Sequence, residues 1–404
     1  MSPAAQPPAS EPGRAAGKRT SRHERPPLPQ GPYAVLGLAR SGKAAALALL
    51  ERGEQVIGLD AGAPEGLDEL AAAGAELHTG ARAGLLPERA RSLVKSPGVP
   101  REDPFVAAAL ARGLPVLGEL ELGWRLLANE FIAVTGTNGK TTTAELIGHV
   151  HREAGLPVLV AGNVGTALSS LAGTAADQAT IVCETSSFQL EDSLAFAPEA
   201  AVLINLSPDH LDRHGSFAEY TRAKAGAFAR QGEGDLAVLP SALLADGAGE
   251  LARLFASAGR ARRFGFGSDA EAALREQDGE LRWQGEHLLH ARELSLRGRH
   301  NLENAMAAAA VCLARGLDAD AVRAGLRSFA GVAHRLELIA TRDGVMFVND
   351  SKATNVASTL VALDAFADRS GIRLILGGQG KGQDFSALRA PVAARCSGVY
   401  LIGE

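Results

Sequence analysis

The strongest local signal in the chain is Ala133-Val-Thr-Gly-Thr-Asn-Gly-Lys140-Thr-Thr-Thr143. Just ahead of it and running into it, Phe131-Ile132-Ala133-Val134 is an apolar run of strand type. Residues 135–139 form a turn with two glycines, and Lys140 opens a helix whose apolar positions Leu146, Ile147 and Val150 share one face. A strand, a glycine loop and a helix N-terminus together present backbone N–H groups and a positive dipole end to an anion. Lys140 adds a point charge suited to β- and γ-phosphates, and the Thr141 hydroxyl is placed to ligate Mg²⁺. The common pattern G-x-x-x-x-G-K-[ST] asks for glycine at 134. Here that position is Val134, and Gly136 is the earlier glycine. The plainer alternative is an ordinary glycine turn with Lys140 in solvent.

A chain of 404 residues has room for two or three domains, each with its own core. An apolar content of 46% and a net charge of −5 argue for a soluble protein and against nucleic acid as the main partner. Cys183, Cys312 and Cys396 are scattered without metal spacing, as reduced thiols of a cytoplasmic protein would be. No apolar run reaches membrane-spanning length and no signal-peptide core follows the start, so neither a membrane nor an export route is expected.

Residues 1–32 are rich in Pro, Ala and Gly with scattered arginines, and are expected to be a disordered extension. Order begins at Tyr33 with a strand, a turn at Gly37, Ser41 and Gly42, a helix, and a second strand ending in Asp60. That is the outline of a Rossmann βαβ unit over residues 33–118, although its glycine fingerprint is incomplete. Residues 119–331 alternate strand and helix patterns, as a mostly parallel α/β sheet requires. The strand ends there carry Gly162-Asn-Val-Gly165, Glu184-Thr-Ser-Ser-Phe-Gln189 and Asp209-His-Leu-Asp-Arg-His214, at the edge where open α/β sheets bind ligands. Glu184 suits Mg²⁺, which prefers oxygen donors; helix capping is the alternative. His210 is ambiguous between ligand and structural residue. Lys224, on an amphipathic helix, reads as solvated from spacing alone. Asn301 or Asn304 could touch a nucleotide or simply cap a helix. Residues 332–404 form a third α/β unit with about three strands, fewer than a sheet buried on both faces normally has.

Taken in order, these motifs resemble the Mur ligase family of peptidoglycan synthesis, in particular its D-glutamate-adding branch. The carriers are Gly136-Thr-Asn-Gly-Lys-Thr-Thr142, Gly162-Asn-Val-Gly165, Glu184-Thr-Ser-Ser-Phe-Gln-Leu-Glu191, Asp209-His-Leu-Asp-Arg213, Tyr220-Thr-Arg-Ala-Lys224, Arg299-His-Asn301, His334-Arg335, Asp350-Ser-Lys-Ala-Thr-Asn355 and Gly377-Gly-Gln-Gly-Lys-Gly-Gln-Asp-Phe385. The resemblance implies three domains: a Rossmann-like substrate domain, a central ATPase domain and a C-terminal Rossmann-like domain. It implies a monomeric cytoplasmic enzyme that joins D-glutamate to UDP-N-acetylmuramoyl-L-alanine through an acyl phosphate, with ATP as co-substrate and two Mg²⁺ ions.

By the same resemblance, Gly136, Thr137, Asn138, Gly139, Lys140, Thr141 and Thr142 hold ATP phosphates, and Asn304, Arg335 and Asp350 hold the rest of the nucleotide. Thr141 and Glu184 take one Mg²⁺; His210 and a carbamylated Lys224 take the other, which replaces the solvated reading of Lys224. Lys140, His210 and Lys224 form the catalytic set. Gly37, Arg40, Ser41, Asp60, Ser96, Pro97 and Gly98 cradle UDP, while Asn163, Ser186 and Gln189 contact the muramoyl peptide. Lys352, Thr354 and Lys381 approach ATP or glutamate. Two departures stand out. Ala61-Gly62 follow Asp60 where relatives are polar or basic, and relatives continue past Glu404, so the third domain is expected to be incomplete. The rival readings are a folylpolyglutamate-synthase-type ligase, a nucleotide-binding protein without turnover, and a plain P-loop NTPase.

Overall fold

The computed structural model describes residues 21, 23–80, 86–245, 249–366, 369–378 and 384–403. In the first domain, β1 (Tyr33–Leu36), β2 (Val56–Asp60), β3 (Glu76–Thr79), β4 (Ser92–Lys95) and β5 (Val116–Gly118) form a parallel sheet in the order β3-β2-β1-β4-β5. Alternation along β1 sends Tyr33 and Val35 into one core and Ala34 and Leu36 into another. Both faces are covered, as a parallel sheet requires.

The central domain carries a nine-stranded sheet. Its strands are β6 (Phe131–Thr135), β7 (Val158–Gly162), β8 (Thr180–Glu184), β9 (Ala200–Leu203), β10 (Leu236–Pro240), β11 (Arg262–Gly267), β12 (Leu274–Gln277), β13 (Glu280–Trp283) and β14 (Glu286–His290), in the order β14-β13-β12-β11-β10-β9-β6-β8-β7. β7 through β12 run parallel, and β12, β13 and β14 turn back as an antiparallel edge. Ile132 and Val134 face a core built by the Lys140–Glu153 helix and the alanine-rich Arg299–Ala314 helix; Phe131 and Ala133 face the opposite core with Trp124 and Phe196. β6 lies between β8 on one side and β9 on the other, so the chain changes direction across the sheet at the carboxyl end of β6. That end is the crevice where doubly wound sheets bind ligands.

Beyond Gly331 the described residues form four strands, where about three were expected, in two separate pairs. β15 (Glu337–Arg342) and β16 (Val345–Asn349) make an antiparallel hairpin. β17 (Ile372–Gly378) and β18 (Cys396–Gly403) run parallel, with the Arg389–Arg395 helix between them in the chain.

The expectation of a disordered extension up to residue 32 needs correction for the described residues 21 and 23–32, which form a strap across the first two domains. The Arg25 guanidinium lies 4.0 Å over the Trp124 ring and donates to Leu127 O at 3.1 Å and Asn129 O at 2.9 Å. Ser21 hydrogen-bonds Glu199, and His23 pairs with Asp235 at 2.8 Å. Leu28 packs on the first domain's core, and Ser92 Oγ donates to Gln30 O at 2.7 Å. The composition is poor in apolar residues, yet Arg25 finds an aromatic face and two carbonyls that no local pattern discloses.

Candidate active site

Two glycines shape the loop after β6. Gly136 has φ +151° and packs on Ile204 and Asn205. Gly139 is left-handed, φ +83°, and a Cβ there would overlap Asn304 Oδ1. Val134 is no defect: it sits in β6 with its side chain in the core, one turn before the loop needs glycine. The loop is fixed from β9. Thr137 N donates to Asn205 O at 3.1 Å and Asn138 N to Asn205 Oδ1 at 2.9 Å. Thr137 Oγ1 donates to Ser207 O at 3.1 Å and accepts from Ser207 N and from Tyr220 Oη, both at 3.0 Å. Asn205, Ser207 and Tyr220 were not among the expected site residues. Their position at a strand end and in the quoted Tyr220–Lys224 segment was the available signal.

Two lysines converge on this loop. Lys140 Nζ donates to Gly136 O at 3.0 Å and Thr137 O at 2.8 Å, and Lys224 Nζ donates to the same Gly136 O at 2.7 Å. Burial lowers the pKa of Lys140, with Arg335 acting in the same direction and Glu184 and Asp209 opposing it. Lys224 is 1% exposed and lies 4.6 Å from the centre of the Tyr220 ring. Burial first, then the neighbouring Lys140 cation, push its pKa down to about 6, against the pull of Asp209. Spacing alone placed Lys224 in solvent; the structure buries it beside the nucleotide loop.

Glu184 ends β8 opposite Val134 of β6 and is 3% exposed, with Asn163 Nδ2 donating to it at 3.3 Å. Gly162 makes this possible, because a Cβ there would collide with the Glu184 carbonyl. His210 has φ +51° ahead of the short Leu211–His214 helix, and its half-exposed ring lies 4.8 Å from the Phe188 ring. No hydrogen bond joins His210 to Lys224 or Glu184 among the described residues. His214 lies within electrostatic reach of both His210 and Lys224: burial lowers its pKa first, then the charges of Arg213, His210 and Lys224. No three His, Cys, Asp or Glu side chains gather as a metal site among the described residues. The expected cation ligands are instead a hydroxyl, one carboxylate, one imidazole and a modified lysine. An oxygen-rich set of that kind beside a phosphate loop fits Mg²⁺, which commonly takes one or two carboxylates plus substrate phosphates.

The other expected residues divide. Gly37, Ser41, Asp60, Ser96 and Gly98 gather at the ends of β1, β2 and β4. Ser96 Oγ donates to Gly37 O at 2.6 Å, and Arg40 reaches the second domain at Gly165 O, 3.1 Å. Asp60 accepts from Leu38 N at 2.7 Å and Gly62 N at 2.8 Å, so both of its carboxylate oxygens hold backbone. Ser186 and Gln189 bond each other as the capping box of the Ser187–Glu191 helix, and Gln189 is buried. That is a structural engagement where substrate contact was expected.

Asn304, bonded to Asn301, lies against Gly139. Arg335 spans from the third region to donate to Thr141 Oγ1 at 3.2 Å. Asp350 is half-buried and accepts from Leu336 N at 3.1 Å; burial raises its pKa. Lys352 is exposed, and Thr354 follows in the same loop. Lys381 lies outside the described residues.

Comparison with known proteins agrees with this geometry. The Mur ligase middle domain matches residues 134–312, and the Mur ligase MurD-like N-terminal domain matches residues 32–118. A UDP-N-acetylmuramoylalanine–D-glutamate ligase from Pelotomaculum thermopropionicum is 40% identical over 378 residues, covering 92% of this chain and 82% of its own. Its namesake from Acidobacterium capsulatum is 40% identical over 386 residues, with 92% and 81% covered. The crystal structure of UDP-N-acetylmuramate-alanine ligase from Thermotoga maritima shares the fold, with a TM-score of 0.55 at 18% identity over 92% of this chain and 90% of that one. The chain belongs to the Mur ligase family, in its MurD-like branch.

Proposed function

We propose that this protein is a cytoplasmic, monomeric ligase that uses ATP to join D-glutamate to UDP-N-acetylmuramoyl-L-alanine, a step of peptidoglycan precursor synthesis. The observation that carries the reading is the pair of lysines on one loop carbonyl, the part-buried Lys140 and the buried Lys224, both on Gly136 O.

A carboxylate resists attack by an amine, so the substrate carboxyl is first phosphorylated by ATP, and the amine of glutamate then displaces phosphate. The first step is mostly positioning and charge neutralisation. Lys140 swings from its loop carbonyls to the β- and γ-phosphates. Backbone N–H groups at the start of the Lys140–Glu153 helix receive phosphate oxygens, and Arg335 meets the nucleotide from the third region. Thr141 and Glu184 would hold one Mg²⁺, and His210 with carbamylated Lys224 the other. Bound there, the ions would neutralise charge that develops on the transferring phosphoryl group. With its pKa near 6, Lys224 is largely the neutral amine at neutral pH, the form that adds to carbon dioxide with release of one proton to give the carbamate. ADP and phosphate are the co-products, and Lys352, Thr354 and Lys381 are the candidates for glutamate.

The test is phosphate release from ATP in the presence of UDP-N-acetylmuramoyl-L-alanine with D-glutamate, with L-glutamate and with no amino acid. Release that requires D-glutamate is the expected result. Release indifferent to amino acid would make the protein an ATPase, and failure to bind the UDP-sugar would overturn the reading.

A further inference from the structure

The turn Ser96-Pro97-Gly98, expected to touch UDP, is gripped from the second domain by a residue outside the expected site. Arg213 Nη1 donates to Pro97 O at 3.0 Å and Nη2 to Val99 O at 3.2 Å. The same Val99 carbonyl accepts from Lys95 Nζ at 2.8 Å, and Lys95 is itself fully buried and paired with Asp192 of the second domain at 2.6 Å. The turn's far side is fixed within its own domain, by Ser96 N on Leu36 O at 3.0 Å and Ser96 Oγ on Gly37 O. Gly98, between the two gripped carbonyls, remains exposed with open space around its Cα.

The Arg213 guanidinium lies 3.9 Å over the Phe188 ring, and that ring also contacts the rings of His210 at 4.8 Å and His214 at 5.4 Å. A planar fork stacked on an aromatic ring has one orientation in which both of its edges can donate, and lysine cannot reproduce it. The turn, Arg213, Phe188 and His210 therefore form one run of contacts from the first domain to the candidate cation site.

We propose that Arg213 is a positioning residue for the UDP end of the substrate. It sets the Ser96–Gly98 turn at the height from which the substrate reaches the nucleotide loop, without touching the reacting atoms. This rests on the proposed function, because the turn's ligand is taken to be the UDP group. Substrate misplacement on the scale of an ångström is costly to affinity and alignment. Arg213→Ala should thus raise the KM for UDP-N-acetylmuramoyl-L-alanine roughly tenfold, while kcat at saturation and the KM for ATP stay within about twofold. Arg213→Lys, which keeps the charge and loses the fork, should fall between the two.

The wild-type protein is assayed first, by calorimetric titration with UDP and by turnover. Its failure there would count against the proposed function alone; the Arg213 proposal is judged separately, by hydrogen exchange at residues 96–99 in both variants compared with wild type. Faster exchange at that turn, in step with the KM for the UDP substrate, supports the proposal. An unchanged turn and unchanged KM in both variants would overturn it, as would a fall in kcat with KM unchanged, which would place Arg213 in the chemistry itself.

Discussion

The first domain and the region after Gly331 both contact the central domain, and they are attached by different means. The first domain is joined by several charge-assisted contacts: the buried pair Lys95 with Asp192, the Arg213 fork, the strap through Arg25, and, at the surface, Arg101 with Asp192 and Arg40 on Gly165 O. The third region reaches the loop through Arg335 on Thr141 and lays Ala365 near Gly298, while Leu338, Ile339, Val345, Phe347, Ile375 and Leu401 are more than half exposed. Several charge-assisted bonds, one of them fully shielded from water, hold a geometry more firmly than the one interdomain side-chain bond found among the described residues of the third region. Two-stranded sheets with exposed apolar faces are also marginal on their own.

The largest expected effect is in native-state hydrogen exchange. Amides of β6, β8 and β9 sit in a sheet covered on both faces, and those of β15, β16, β17 and β18 do not. Protection should differ by roughly a thousandfold or more between the two groups, the span between local and global opening. Equal protection would break the comparison, because the third region would then unfold only with the rest. Next in size is Arg25→Ala, which removes the stacking on Trp124 and two charge-assisted bonds to carbonyls. It should lower the stability of the first two domains by about 2 kcal/mol, read as a fall in Tm, and leave exchange in the third region unchanged. A shift in both would mean the strap acts on the whole chain.

What could be read from sequence depended on whether the determinant was local. The loop after β6, its two glycines and the polar strand ends are local: an apolar run, a turn and a helix start, each within a few residues. The capping box of Ser186 and Gln189 has a local sequence form, S-x-x-Q at a helix start, but these two residues were expected to contact substrate. Lys224 was not legible, because helical spacing leaves open which face a lone lysine takes; the family resemblance, not the pattern, brought it to the site. Arg25 was not, because its partners Trp124, Leu127 and Asn129 lie about a hundred residues away in the chain. Arg213 stood inside a quoted motif, but its value lies in two carbonyls of another domain. Side chains that join domains carry no periodicity.

The smallest expected effect lies at the strap's outer end. His23 faces Asp235, which is buried, with Glu199 nearby and Arg25 opposing. The hydrogen bond to Asp235 is the main cause that raises the His23 pKa above its ordinary 6.5, and burial works against it. The folded state thus binds the proton more tightly than the unfolded one. The resulting stabilisation is complete below about pH 6.5 and fades as the pH rises through the raised folded value. Wild type should lose less than about 1 kcal/mol on going from pH 6 to pH 8 that His23→Gln does not lose, read as a difference in Tm between the two proteins at each pH. The same measurement on Arg25→Ala separates two kinds of strap. If residues 21–32 dock as one unit, removing the Arg25 anchor also removes the pH dependence of His23. If the dependence persists, His23 and Asp235 pair on their own, and the strap is held to the second domain at two independent points.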